Sequence, residues 1–278
     1  MLLADYVDRY VSARRISRAA TYLLRWSVRE FAKYLGKQPG FSDISDNAVN
    51  IWLATMIASP ATIAGHRSRI LALWRAGWQD ELIESPPRRV RVVHIPRKFP
   101  EAWGLSEMKR LLDATGNLAG NLFVSHVARR DFWRAWLLVQ WDTGLRLGDM
   151  LQIRGDQLTA NSLVLTQGKT GEPLLCGLRP ATVEAIGRIT APHRPRVFGD
   201  CLSRRHVFQQ FRRLRLAAGL PRGGTHQIRR SGATAVEIDQ PGQAGAFLGH
   251  LTPGLAHRHY IDPRLIGRHR PMPPPLTG

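Results

Sequence analysis

Between residues 225 and 260 the chain reads THQIRRSGATAVEIDQPGQAGAFLGHLTPGLAHRHY, which gathers His226, Arg229, His250 and Tyr260 into one short run. On a helix His226 and Arg229, three positions apart, share a face. With Thr225 as the expected N-cap, both donors point the same way from near a helix N-terminus, where an anion is already favoured. The segment LGH (248–250) follows, and Tyr260 lies beyond it. A tyrosine beside several cationic or donor groups suits a nucleophile that attacks a phosphate.

Composition agrees with such a substrate. Forty Lys and Arg against 21 Asp and Glu give a net charge of +19 over 278 residues. The excess is spread over both halves, so both are candidates to touch the phosphates of a nucleic acid. The length allows two domains. Two cysteines, Cys176 and Cys201, make neither a disulfide framework nor a metal knuckle. The first residues lack the apolar core of a secretory signal, and no apolar run approaches ~18 residues, so no membrane span is expected. The expected setting is cytoplasmic, in association with DNA.

The elements that must position these residues follow from periodicity. Leu2, Leu3, Tyr6, Val7, Tyr10 and Val11 recur at helical spacing. A second helix is expected over about 18–35, with Leu23, Trp26, Phe31, Tyr34 and Leu35 inward and Gly36 as its stop. A third is expected to be capped by Asp46 and to bury Val49, Trp52, Leu53 and Met56. A fourth follows Pro60. Residues 1–85 thus read as a helical bundle. His66, Arg67, Arg69 and Arg75 fall in its last helix as candidate DNA contacts. Residues 86–102 are Pro-rich and basic and read as a linker, with Arg88, Arg89 and Arg91 as further candidates.

Residues 103–268 read as a second domain. A buried helix over about 130–141 breaks at Thr143-Gly144, which leaves Arg146 at a break between helices with Asp149 to brace it or to cap the next helix. Strands at 162–165 and 174–176 flank QGKTG as a hairpin, with Lys169 at its tip. Ser203 is expected to cap a basic helix carrying Arg204, Arg205, Arg212, Arg213 and Arg215. Residues 269–278 form a Pro-rich tail. The fold class expected is mainly α with a small β-hairpin, an α+β arrangement.

Arg146, Lys169, His226, Arg229, His250 and Tyr260 now form an ordered set. The motifs TGLRLGD (143–149), the hairpin Lys169, HQIR (226–229), LGH (248–250) and HRHY (257–260) together resemble the tyrosine recombinase, or integrase, family, which includes the Cre, Xer and lambda-type integrases. The gap from His250 to Tyr260 is one residue longer than in the best-known members. The resemblance implies a core-binding domain in the first half and a catalytic domain in the second. No segment here resembles the extra N-terminal module of lambda-type integrases, so one DNA-binding mode is expected.

The resemblance further implies a 3′-phosphotyrosyl intermediate, with Lys169 protonating the leaving 5′-hydroxyl and no cofactor, metal or ATP. Four protomers would exchange strands through a Holliday junction, with accessory recombination proteins as further partners. By position, a C-terminal segment at 261–268 would dock on a neighbouring subunit through Leu265 and Ile266. The alternatives are a type IB topoisomerase, a catalytically silent DNA-binding protein, and a nuclease with a transient phosphotyrosine.

Overall fold

The computed structural model of the chain describes residues 1–96, 98–168, 170–249, 254–262 and 265. The chain divides into two compact units, Met1–Lys98 and Phe99–Gly278. The first is helical: α1 (Leu3–Arg14), α2 (Arg18–Leu35), α3 (Asp46–Thr55) and α4 (Pro60–Gln79). Local chemistry sets the ends. The hydroxyls of Ser17, Ser45 and Ser59 accept the N–H groups of Ala20, Ala48 and Thr62 at the starts of α2, α3 and α4. Gly36, at φ 69°, closes α2. The cap of α3 is therefore Ser45, and the expected cap, Asp46, instead accepts the backbone N–H of Arg88 at 3.1 Å.

Leu3, Tyr6, Val7, Phe31, Val49, Trp52, Ile70, Leu71 and Trp74 fill the core of this unit. The inner face of α2 is Leu24, Ser27, Val28 and Phe31, a rotation away from the expected Leu23, Trp26 and Tyr34. The cause is that α2 packs against both α1 and α4, and two neighbours select a different stripe from the one that apolar residues alone suggest.

The expected linker is anchored at its start. Trp74 Nε1 donates to Ser85 O at 2.7 Å, and Asn50 bonds Arg89 O at 3.0 Å and Arg91 N at 2.9 Å. Arg67 donates from Nε to Arg91 O at 2.7 Å and from Nη2 to Val90 O at 2.9 Å. Residues 85–91 thus lie along α3 and α4, with Val90 buried and the side chains of Arg88, Arg89 and Arg91 exposed.

Of the candidate DNA contacts of α4, one needs correction, His66. Arg67 is half-buried and donates to the carbonyls of Val90 and Arg91. Arg69 is half-buried and donates to Ser27 Oγ at 3.2 Å. His66 is fully buried, with its ring 4.3 Å from that of Trp26. A side chain closed off from solvent cannot reach a duplex. Arg75 remains exposed.

Ser27 Oγ donates to Leu23 O, so it accepts from Arg69 and from His66 Nδ1, 3.0 Å away. That network leaves the proton on Nδ1 and a buried Nε2 without a partner. Burial first, then Arg69, holds His66 below its usual pKa, against a weaker pull from Glu30. The unfolded chain therefore binds this proton more readily than the folded one. The stability His66 contributes is complete above about pH 6.5, its unfolded value, and is lost as pH falls below it. In melts from pH 8 to 5, His66→Gln is expected to flatten part of the acid-side decline in melting temperature. An unchanged slope would contradict this.

The second unit comprises α5 (Leu105–Asp113), α6 (Arg129–Thr143), α7 (Leu147–Met150), β1 (Ser162–Thr166), β2 (Pro173–Gly177), α8 (Pro180–Gly187), α9 (Arg204–Ala217), α10 (Thr225–Asp239), α11 (Ala244–Phe247) and α12 (Leu255–His259). The strands pair antiparallel, Ser162 opposite Gly177 and Thr166 opposite Pro173. The architecture is α+β. Phe132, Trp133 and Trp136 of α6 pack with Phe198 and Phe211 at its centre. Pro180 begins α8, and Ser203 caps α9 as the sequence leads one to expect. No helix among the described residues is long and apolar enough to cross a membrane.

Candidate active site

α6 ends where it must turn sharply. Gly144 takes φ 60° and donates its N–H to Gln140 O at 2.9 Å. A Cβ there would also meet the Phe247 ring at 2.6 Å, so glycine is required both by conformation and by space. Two residues on, Arg146 is extended as it enters α7, and its Nη1 donates to Gln167 Oε1 at 2.7 Å. Asp149, expected to brace Arg146 or to cap a helix, is buried and accepts the N–H of Gly168 at 2.9 Å instead. It ties α7 to the hairpin turn. Lys169, the expected hairpin general acid, lies outside the described residues, as does His250.

α10 begins at Thr225, capped by Gly224 rather than by Thr225 as expected; Thr225 itself is buried. His226 and Arg229 share a face. Arg229 is 1% exposed and donates to Gly144 O and, at 3.1 Å, to Leu248 O. It thereby joins the end of α6 to the segment after α11. Its guanidinium carbon lies 5.0 Å from the centre of the Tyr260 ring. The His226 ring meets the Tyr260 ring edge-on at 5.4 Å.

Tyr260 is half-buried at the end of α12. Thr234 of α10 clamps it: its hydroxyl donates to Tyr260 O at 3.3 Å and accepts the N–H of Asp262 at 3.2 Å. The Asp262 carboxylate accepts the N–H of Ala102 at 3.1 Å. Ala256 and Ile261 pack with Ala233, Ala244 and Leu248. Ile261 and Asp262, expected to open a segment that docks on a neighbouring subunit, are thus buried against their own unit. Leu265 is 41% exposed, and Ile266 lies outside the described residues.

Charge makes the site asymmetric. Burial first, then Arg230, Arg229 and Arg146, push His226 down to about 4. Its exposed edge admits water that screens part of this push. The imidazole is neutral at pH 7 and keeps a lone pair, as a weaker base than a free histidine. Arg229 is lowered to about 10, by burial first and then by Arg146, against the opposing pull of Tyr260. It stays a cation at pH 7. Cys176 is pushed up to about 11 by burial and is no competing nucleophile. Two participants escape a reading by spacing. Arg230 adds its charge beside His226, and Gln167 holds Arg146.

Of the expected catalytic residues, the structure brings Arg146, His226, Arg229 and Tyr260 together. Of the expected DNA contacts in this unit, Arg204, Arg205, Arg212 and Arg213 stand exposed on α9. Arg215 is a correction: it is buried and donates to Leu220 O.

No protein-family model and no curated relative matches the chain by sequence. Solved structures do match its fold. A dimer of lambda integrase residues 75–356 bound to a COC′ core site superposes with TM-score 0.72 at 18% identity, covering 92% of this chain and 97% of that one. A lambda integrase tetramer bound to a Holliday junction gives 0.70 at 18%, covering 91% and 77%. Residues 82–397 of the Tn1549 transposon integrase, in complex with circular intermediate DNA, give 0.67 at 14%, covering 93% and 95%. The chain shares the fold of these integrases.

Proposed function

We propose that the chain is a site-specific DNA recombinase that cleaves and rejoins strands through a 3′-phosphotyrosyl link at Tyr260. The observation that carries this reading is the meeting of the Tyr260 ring with Arg229 at 5.0 Å and with His226 at 5.4 Å. A phenol beside a fixed cation and a neutral imidazole has both the charge and the base it needs to act as a nucleophile.

In the first step Tyr260 Oη attacks phosphorus while His226, unprotonated at neutral pH, takes the phenolic proton. Negative charge builds on the non-bridging oxygens. Arg146 and Arg229 meet it with guanidinium forks already held in place, so little reorganisation accompanies the step. The bond to the 5′-oxygen breaks, and Lys169 is the proposed donor of its proton. His250 would donate to the phosphate. Attack by a 5′-hydroxyl of another strand reverses the sequence, and the phosphodiester energy stays in the tyrosyl ester.

On this reading residues 1–85 are a core-binding domain, 86–102 join it to the catalytic domain at 103–268, and the partner is duplex DNA. Assembly is a tetramer on two sites, with accessory recombination proteins as further partners. The protein acts in the cytoplasm, on DNA. The alternatives differ in product. With two copies of a duplex selected for binding, the chain is expected to yield Holliday junctions and recombinant strands. Relaxed plasmid without junctions would favour a topoisomerase, free ends a nuclease, and binding alone a silent DNA-binding protein.

The exposed arginines of α9 supply phosphate contacts on this reading. Arg205→Ala with Arg212→Ala is expected to weaken binding to all duplexes alike. The slope of log K against log salt should fall by roughly 0.9 for each phosphate that is no longer neutralised. An unchanged slope in a fluorescence-anisotropy titration would remove α9 from the interface.

A further inference from the structure

Gln167 occupies a position that the catalytic scheme does not use. It is buried between the hairpin and the segment after α11. Its Oε1 accepts two hydrogen bonds, from Arg146 Nη1 at 2.7 Å and from Thr170 Oγ1 at 2.9 Å. Its Nε2 donates to Leu248 O at 3.4 Å. That carbonyl also receives Arg229 at 3.1 Å. One amide thus joins the two guanidinium-bearing segments, and Gly249 is confined beside it: a Cβ there would lie 2.8 Å from Gln167 Nε2. The orientation of the amide is fixed by chemistry, since an arginine donor must face the oxygen.

The choice of an amide has an electrostatic consequence. The usual way to fix an arginine is a carboxylate, which forms a bidentate pair and cancels much of its field. Among the described residues the hydrogen bond that Arg146 makes goes to a neutral group. Its charge still reaches Arg229 and His226. An arginine that must neutralise a developing phosphorane needs a fixed direction and an uncancelled charge.

We propose that Gln167 is a positioning residue that aims Arg146 at the reacting phosphate while leaving its full charge for the transition state. The inference rests on the recombinase reading for its substrate. The second half of the amide, on Leu248 O, sets Arg146 and Arg229 in register, so that both forks address the same phosphate.

The test compares wild type, Gln167→Glu and Gln167→Met. Glutamate keeps the acceptor that faces Arg146, adds a charge and, like methionine, loses the donor to Leu248 O. Methionine keeps the size and removes all three hydrogen bonds. Melting temperatures are recorded for each, so that loss of fold is separated from loss of aim. On a nicked duplex selected for binding, the single-turnover cleavage rate is expected to fall about 100-fold in Gln167→Glu and about tenfold in Gln167→Met. Duplex affinity should stay within about threefold of wild type, because one contact among many is touched. Gln167→Glu cleaving as fast as Gln167→Met, or both variants weakening in affinity and rate in equal measure, would overturn the proposal.

A parallel titration with inorganic phosphate, using Arg146→Gln to mark the signal that belongs to this site, needs no strand cleavage. Gln167→Glu should bind phosphate about tenfold or more weakly, and Gln167→Met should weaken it by less. Equal affinities in all three would overturn the proposal. Absence of any DNA adduct in wild type would instead overturn the recombinase reading, and the phosphate titration would still decide the role of Gln167.

Discussion

Tyr260→Phe is expected to leave duplex binding unchanged and to abolish covalent attachment to DNA. The substitution removes one hydroxyl from a side chain whose ring is held by its surroundings. The backbone of Tyr260 is fixed independently, through Thr234 and through Asp262 against Ala102. The phenylalanine ring would keep its contacts with Arg229 and His226, so the melting temperature should move little. Loss of all adduct with binding retained is the signature of a missing nucleophile. A gel-shift titration beside a denaturing gel checks both halves. Weakened binding would mean that the hydroxyl serves the interface rather than the chemistry.

Arg229→Lys should be the second largest effect, although it keeps the charge. Arg229 hydrogen bonds the carbonyls of Gly144 and Leu248 while lying beside Tyr260. A planar fork can hold two carbonyls and still present an edge to a phosphate, whereas a single ammonium cannot. The cleavage rate is expected to fall by about 10²–10³. Stability should fall too, by about 1–3 kcal/mol, because a buried carbonyl is left without its donor. Single-turnover cleavage and urea denaturation measure the two separately. A lysine variant that cleaves at nearly the wild-type rate would show that Arg229 is only a brace between α6 and α11.

These predictions depend on features that differ in how far the sequence reveals them. The i, i+3 pairing of His226 and Arg229, the break after α6 and the hairpin at 162–177 are local, and spacing alone carries them. The N-terminal helices are legible as well, from apolar periodicity and from Gly36 as a stop, whereas the serine that caps α3 lies one residue before the expected Asp46. What spacing does not carry is which face turns inward when a helix has two neighbours. That is why α2 buries Leu24 and Val28, and why His66 turns away from solvent on a helix that reads as a basic face. Gln167 is illegible for a different reason. A glutamine before a turn is ordinary, and it gains a role only when Arg146, distant in sequence, folds across it. Asp149 belongs to the same class, since its partner is a backbone N–H of the hairpin.

On the proposed function, Tyr260 carries the DNA in a covalent intermediate. The most direct measurement traps the adduct on a nicked duplex, digests the protein and sequences the modified peptide by mass spectrometry. The expected result is a nucleotide joined through its 3′-phosphate to Tyr260, in the peptide that follows α11. A nucleotide on any other side chain, or no adduct on a duplex that the protein binds tightly and specifically, would contradict it.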